Sequence, residues 1–421
     1  MDYFRITGGR PLRGTLRVHG AKNSALPLLA ATLLAEGESI LRRCPDLTDV
    51  RTALSILACL GCRVCREGDA VRVDTSTLAG CQIPDGLMGR MRASVLFLGA
   101  LLARTGQARS GWPGGCALGA RPIDLHIRAF QALGARVLDR EGGLFCESPC
   151  LRGRRLCLPL PSVGATENAM LCACGACGVT EICNAAREPE IADLQGFLRA
   201  MGAEVTGGGT DRVIIRGGRP LRPADYSVMP DRIVAATALC AVASAGGEGE
   251  LTDLRPRDLE PVLAALEAAG CRILRGHDRL CIRAEGPLRG IGRLTTGPWP
   301  GFPTDAQPLL AAALAGGEGV TEIVETVFER RFRYAAGLRA MGADLTVEGS
   351  TARVTGRPLH GAAAEAPDLR GGAALTIAAL GARGESRITG LPHIDRGYRR
   401  LEEDLGALGA DIRRVRGRNR T

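Results

Sequence analysis

Lysine is almost absent from this chain: of 54 basic residues, 53 are arginine and only Lys22 is lysine. Aromatics make up 3% of the sequence, and they are not interleaved with the arginines, which argues against a base-stacking surface for nucleic acid. The arginines are dispersed and form no basic tail, so the formal charge of +9 fits small anionic partners better than nucleic acid. Histidine is scarce at five. None lies beside the two CxxC spacings, Cys62/Cys65 and Cys174/Cys177, so a zinc site is not expected there. Apolar runs of about 18 residues are missing, and MDYFRITGG lacks the charged and apolar regions of an export signal. A cytoplasmic protein without a membrane segment is the expectation. The sixteen cysteines then read as reduced thiols, mostly small core residues in stretches such as MLCACGACG.

What is present is repetition. Six times a helical stretch ends in a short Gly-containing signature that leads into a strand: LGCRV, LGARV, MGAEV, AGCRI, MGADL and LGADI. Their glycines, Gly61, Gly134, Gly202, Gly270, Gly342 and Gly409, recur every 67 to 73 residues and suit left-handed helix caps. Each unit reads as strand, helix, strand, helix and two strands. The sixth unit stops short of its last strand, and FRITGGRPLRG near residue 4 matches RVIIRGGRPLR of the third unit almost word for word. The expected domains are 20–229, and 1–19 plus 230–421, three units each.

The first helix of each unit opens on a polar signature: GAKNSALP, RMRASVL, PSVGATENA, MPDRIVAA, FPTDAQPLL and PDLRGGAAL. Lys22, Arg92, Gly164, Asp231, Asp305 and Arg370 occupy nearly equivalent places in these openings. Helix starts gathered on one face make an anion site from free N–H groups and dipole ends. Ser24 and Asn168 read as caps. Lys22, Arg92 and Arg370 do not, because a cation there opposes the dipole; the expectation is a ligand that neutralises them.

Cys116 stands apart from the other cysteines, in the glycine-rich PGGCALGARPIDLH, with Arg121 five residues on. A nearby cation favours a thiolate. Together GAKNSALP, MRAS, PGGCALGARPIDLH, PSVGATEN, NAAREPEI, MPDRI, GFPTDAQ, ETVFERRF, PDLRGGAAL and HIDRGY resemble, in order from residue 20 to 398, the UDP-N-acetylglucosamine 1-carboxyvinyltransferases, an enolpyruvyl transferase family. The resemblance implies an α/β fold of two inside-out domains, each of three βαβαββ units, with the site between them. It implies transfer of the enolpyruvyl group of phosphoenolpyruvate to the 3′-hydroxyl of UDP-N-acetylglucosamine with release of phosphate, the first committed step of peptidoglycan precursor synthesis. No cofactor and no metal are implied, and the partners are these two small molecules, with the chain a monomer or weak homo-oligomer.

By the same resemblance, Lys22, Asn23, Arg121, Arg370 and Arg396 would hold phosphoenolpyruvate. Cys116 would deliver the proton and be the target of fosfomycin, and Asp305 would act at the sugar hydroxyl as base or orienter. The catalytic set is Cys116, Asp305, Lys22 and Arg396. The nucleotide sugar would meet Asn23, Arg92, Arg121, Pro122, Ile123, Asp124, Leu125, Leu160, Pro161, Ser162, Val163, Gly164, Asp305 and Val327. Glu190, Asp231 and Arg331 match the family less specifically and also suit an ion-pair network. Thr48, Leu160, Pro161 and Arg330 depart from the family pattern and bear on nucleotide affinity. Two alternatives stay open: the shikimate-pathway enolpyruvyl transferase, against which PGGC and PSVGATEN argue, and a paralogue that binds the nucleotide sugar without turnover.

Overall fold

The structure, a computed structural model, describes residues 2–114, 122–140 and 143–417. Cys116 and Arg121 lie outside the described residues. The described chain forms two compact units, one of residues 20–114 and 122–229, the other of residues 2–19 and 230–417. Each has its own hydrophobic core.

Six four-stranded sheets share one strand order. In one, Glu38–Arg42 pairs in parallel with Asp225–Ser227 and antiparallel with Ala70–Asp74, which in turn pairs antiparallel with Arg63–Glu67. Strands alternate buried with half-buried or exposed residues, as in Ala70–Asp74 and Arg212–Gly217, so each sheet covers the core with one face and turns the other toward water. Six helices do the opposite. In Arg232–Ala245, Gln307–Ala315 and Leu369–Gly381, and in Lys22–Ala31, Leu96–Thr105 and Val163–Cys174, most residues are buried on every side of the helix. Helices apolar all round belong in an interior, and here they form the centre that the sheets enclose.

Small residues let these helices run close together. A Cβ on Gly99 would lie 2.2 Å from Oδ1 and 2.6 Å from the carbonyl oxygen of Asn168, so the Leu96 and Val163 helices touch there backbone to backbone. The second helix of each repeat is amphipathic and ends at the glycine signature. All six glycines have φ between 86° and 104°. The residue after each glycine donates its N–H to the carbonyl five positions earlier, a 6→1 bond that closes the helix: Cys62 to Leu57, Ala135 to Phe130, Ala203 to Leu198, Cys271 to Leu266, Ala343 to Leu338 and Ala410 to Leu405, at 2.9 to 3.1 Å. These are Schellman caps.

Tyr3–Gly8 lies between Gly384–Thr389 and Asp411–Val415, antiparallel to both. Its Gly8 abuts a helix end, where a Cβ would come within 2.0 Å of the Ala379 carbonyl oxygen; Gly217 meets the Ala173 carbonyl oxygen at the same 2.0 Å. The near-verbatim match between the two segments thus has one packing cause.

One reading needs correction. The cysteines are not mostly core: Cys59, Cys65, Cys150, Cys157 and Cys177 are exposed and Cys81, Cys183 and Cys281 half-buried, against seven buried ones. Each CxxC spacing spans interior and surface, with Cys62 and Cys174 inside and Cys65 and Cys177 outside.

Candidate active site

The six polar openings all fall at the starts of buried helices. Lys22 is the first residue of its helix, Arg92 begins the 3-10 turn that feeds Leu96–Thr105, Gly164 is second in Val163–Cys174, Asp231 caps Arg232–Ala245, Asp305 precedes Gln307–Ala315 by two residues, and Arg370 is second in Leu369–Gly381.

In the unit of residues 2–19 and 230–417 the centre is Asp305. Arg331 Nη2 lies 2.6 Å from its Oδ1, and Arg370 donates to its Oδ2 from Nη2 at 3.0 Å and Nε at 3.3 Å. The arginine side chains are 1% and 5% exposed and that of Asp305 is 29%, so the carboxylate is the member of the trio that reaches outward. Burial would raise its pKa, but Arg370 and Arg331 outweigh burial and hold it far below the usual carboxylate range. Arg331 also donates to the Thr304 carbonyl at 2.7 and 2.9 Å. Glu325 accepts from the Thr304 hydroxyl at 3.0 Å and from the amides of Val327 at 2.8 Å and Phe328 at 3.1 Å. The Val327 amide is therefore committed within the unit. Arg370 lies over the Tyr398 ring, 5.4 Å from its centroid, with Asp231 adding negative charge nearby. Asp231 accepts from the amides of Ile233 and Val234, and Asp368 from those of Arg370 and Gly371.

In the other unit Lys22 Nζ is 2.8 Å from Asp49 Oδ2, with the two side chains 13% and 5% exposed. The cations at these helix starts thus have carboxylate partners, Asp49 for Lys22 and Asp305 for Arg370. The pairing with Asp49 corrects the dipole argument for Lys22 alone; at Arg370 the one carboxylate of Asp305 is shared with Arg331 and does not balance both guanidiniums. Ser24 and Asn168 are not caps either. The Ser24 hydroxyl donates to Asp193 Oδ2 at 2.5 Å, and Asp193 also accepts from Tyr226 and the Met229 amide. Asn168 is the sixth residue of its helix and clasps the neighbouring one: its Oδ1 accepts from the Gly99 amide at 3.0 Å, and its Nδ2 donates to the Val95 carbonyl at 2.9 Å and to His126 Nδ1 at 3.0 Å. With the amide oriented this way, His126 Nδ1 is an acceptor and its proton sits on Nε2, the atom nearest Gly164 after Cε1. The cap of that helix is Ser162, which accepts from Ala165 N.

Glu167 in PSVGATEN is 4% exposed, and its Oε1 has no hydrogen-bond partner. Burial first, then the charges of Glu190 and Glu188, raise its pKa well above the usual value. Among the remaining expected residues, Asn23 and Arg92 are half-buried, Ile123 and Leu125 buried, Pro122 and Asp124 exposed, and Asp124 faces Arg128 at 4.0 Å. Leu160 is 54% exposed ahead of half-buried Pro161, Ser162, Val163 and Gly164. Arg396 is half-buried in the turn after Leu391–Ile394. Thr48 and Arg330 are exposed, and Glu190 is buried in the first turn of Pro189–Ala200.

Sequence reading missed Asp49, Asp193, Glu167 and Glu325. An acid in a first helical turn, such as Asp49, looks like an ordinary response to the dipole, and the others carry no spacing signal. A cavity of about 680 Å³ lined by Gly106, Gln107, Cys150 and Cys177 sits at the far end of the Leu96 helix from its start. Among the described residues no cluster of metal-ligating side chains occurs and no helix is long and apolar enough to cross a membrane.

Sheets enclosing buried helices, with charged groups at the helix starts, are the architecture of a carboxyvinyl transferase. The family model described as EPSP synthase (3-phosphoshikimate 1-carboxyvinyltransferase) matches residues 6–405, and the chain belongs to that family. Its full-length relatives carry a more particular name. The chain is 46% identical to "UDP-N-acetylglucosamine 1-carboxyvinyltransferase 2" of Caldanaerobacter subterraneus subsp. tengcongensis, over 99% of this chain and 100% of that one. It is 44% identical to UDP-N-acetylglucosamine 1-carboxyvinyltransferase of Sorangium cellulosum, over the whole of both. The crystal structure of the enolpyruvyl transferase NikO from Streptomyces tendae superposes with a TM-score of 0.88 at 30% identity, covering 98% of this chain and 99% of that one. EPSP synthase from Acinetobacter baumannii, at 19% identity and a TM-score of 0.79 over 99% of this chain and 100% of that one, shares the fold.

Proposed function

We propose that this chain is an enzyme that transfers the enolpyruvyl group of phosphoenolpyruvate to the 3′-hydroxyl of UDP-N-acetylglucosamine, releasing phosphate, in the cytoplasmic synthesis of peptidoglycan precursors. The observation that carries the reading is the 44 to 46% identity, over essentially the whole chain, to proteins of that name. In the proposed course the sugar hydroxyl oxygen adds to C2 of phosphoenolpyruvate and gives up its own proton to water, while a proton reaches the C3 methylene, giving a tetrahedral adduct. Loss of a C3 proton then expels phosphate and restores the double bond. Cys116 is the proposed donor to C3, and Lys22, Asn23, Arg121, Arg370 and Arg396 are the proposed cradle for carboxylate and phosphate. No cofactor is needed.

The geometry around Asp305 supports orientation over proton abstraction. A carboxylate clamped by two buried guanidiniums is a weak base, but it remains a charged acceptor for a hydroxyl hydrogen bond. The nucleotide sugar is assigned to Arg92, Arg121–Leu125, Leu160–Gly164 and Val327; with the Val327 amide donating to Glu325, that contact is left to its carbonyl or side chain.

The deciding measurement is phosphate release from phosphoenolpyruvate. Release that requires UDP-N-acetylglucosamine and does not occur with shikimate 3-phosphate is the expected result. Release with shikimate 3-phosphate alone transfers the chain to the other branch of the family, and release with neither acceptor makes it a binding paralogue.

A further inference from the structure

The edge strand Arg155–Cys157 pairs in parallel with Gly178–Cys183 in the register Arg155 to Glu181, Leu156 to Ile182 and Cys157 to Cys183. Leu156 and Ile182 are buried, so the flanking pairs project from the other face of the sheet, toward water. Cys157 is exposed and Cys183 half-buried, and the two face each other directly in the register. Neighbouring strands stand about 4.8 Å apart, inside the Cα separation of about 4.4–6.8 Å that a disulfide spans. Among the described strands no other two cysteines stand opposite each other.

The surroundings are polar and charged. Arg155 Nε lies 3.3 Å from Cys183 Sγ, the Cys183 thiol donates to Glu181 Oε1 at 3.4 Å, and Arg212 Nε is 2.8 Å from Glu181. The Arg155 contact lowers the Cys183 pKa, but burial and the contacts with Cys157 and Glu181 raise it by more. Cys183 thus rests as a thiol, while Cys157 is the sulfur most open to solvent.

We propose that Cys157 and Cys183 form a reversible redox site that closes to a disulfide with a peroxide as oxidant and reopens with a dithiol reductant. The Cys157 thiolate attacks one peroxide oxygen, breaking the O–O bond and giving a sulfenic acid and water. Cys183 sulfur then attacks the Cys157 sulfur, displacing its oxygen as a second water and losing its own proton. Two thiols and one hydrogen peroxide become one disulfide and two waters. The bond staples an edge strand that pairs over only three residues. It also stiffens the chain just beyond each sulfur: the Leu158 amide donates to the Cys183 carbonyl at 3.0 Å and Asn184 Nδ2 to the Leu158 carbonyl at 2.8 Å. From Leu158 the chain runs on into Leu160–Gly164, so closure changes nucleotide-sugar affinity, a consequence that rests on the function proposed above.

The test uses the full chain carrying Cys116→Ser, treated with hydrogen peroxide, blocked with iodoacetamide and mapped by mass spectrometry. A peptide pair joined through Cys157 and Cys183, lighter by two hydrogens, released by dithiothreitol and absent from Cys157→Ser and Cys183→Ser, is expected. Retained alkylation of both thiols, separate oxidation of each to sulfinic acid, or coupling of Cys157 to Cys150 or Cys177 instead would overturn the site. Calorimetry with UDP-N-acetylglucosamine reads the consequence: a shifted Kd on oxidation supports it, and an unchanged Kd with the disulfide formed removes the link to the nucleotide segment. Absence of binding in both forms counts against the proposed function, since the disulfide is scored without ligand.

Discussion

Lys22 and Asp305 carry the sharpest expectations because each is a charge held by a specific neighbour. An ammonium 2.8 Å from Asp49 is a compact donor that can share itself between that carboxylate and an arriving phosphate. A guanidinium would lock onto Asp49 through two parallel bonds. Lys22→Arg should therefore keep the fold and the charge, with a near-unchanged thermal midpoint, and lose about a hundredfold in kcat; turnover close to the parent chain would return the lone lysine to chance. For Asp305 the folded pKa is depressed, so its stabilising contribution is present above the unfolded value near 3.8 and fades only as the pH falls below it. Between about pH 5 and 9 the kcat/KM profile should carry no inflection from this group. An inflection there that disappears in Asp305→Asn would show a proton acceptor instead of an orienter. Asp305→Ala leaves two buried guanidiniums without their carboxylate and should cost about 3 kcal/mol in urea unfolding, at the low end for buried pairs because Asp305 itself is part exposed.

At the scale of elements, the repeat was readable because its punctuation is local. A glycine at a helix end, with a closing bond from the next residue, needs only a few consecutive residues, and all six signatures adopt it. The buried helices were readable for the same reason, as apolar all-round stretches following polar openings. What escaped was lateral. Nothing in PSVGATEN says that Asn168 reaches across to Val95, Gly99 and His126 instead of capping its own helix, since either use satisfies the amide and only the neighbour's position decides. Likewise the carboxylate partners of Lys22 and Arg370 come from residues 27 and 65 positions away, beyond any periodicity. The crossing at Gly99 gives the direct test. Gly99→Ala places a Cβ 2.2 Å from Asn168 Oδ1, a clash with both a side chain and a backbone, and should lower stability by about 1–3 kcal/mol in denaturant titration. An unchanged midpoint would mean that the two helices separate freely.

Across the whole molecule, charge is spread through exposed pairs such as Arg283 with Glu248 and Arg275 with Glu267. Such pairs are individually worth about 0–1 kcal/mol, so stability should depend weakly on salt and mainly on the two cores. Removing residues 2–8 is a stronger perturbation, because Asp411–Val415 pairs with that strand alone. The truncated chain should lose the cooperative unfolding transition of the unit containing residues 230–417 while hydrogen exchange in 20–229 stays protected. The same pairing sets an order in time. A strand made at residues 3–8 has to wait for partners roughly 400 residues later in the chain, so during synthesis it is an unpaired edge of the kind that recruits other chains. The unit of 20–229, contiguous in sequence, can meanwhile close on its own. Production should therefore fail by aggregation of half-made chains whenever elongation stalls after residue 229, even though the finished protein leaves that strand covered on both sides.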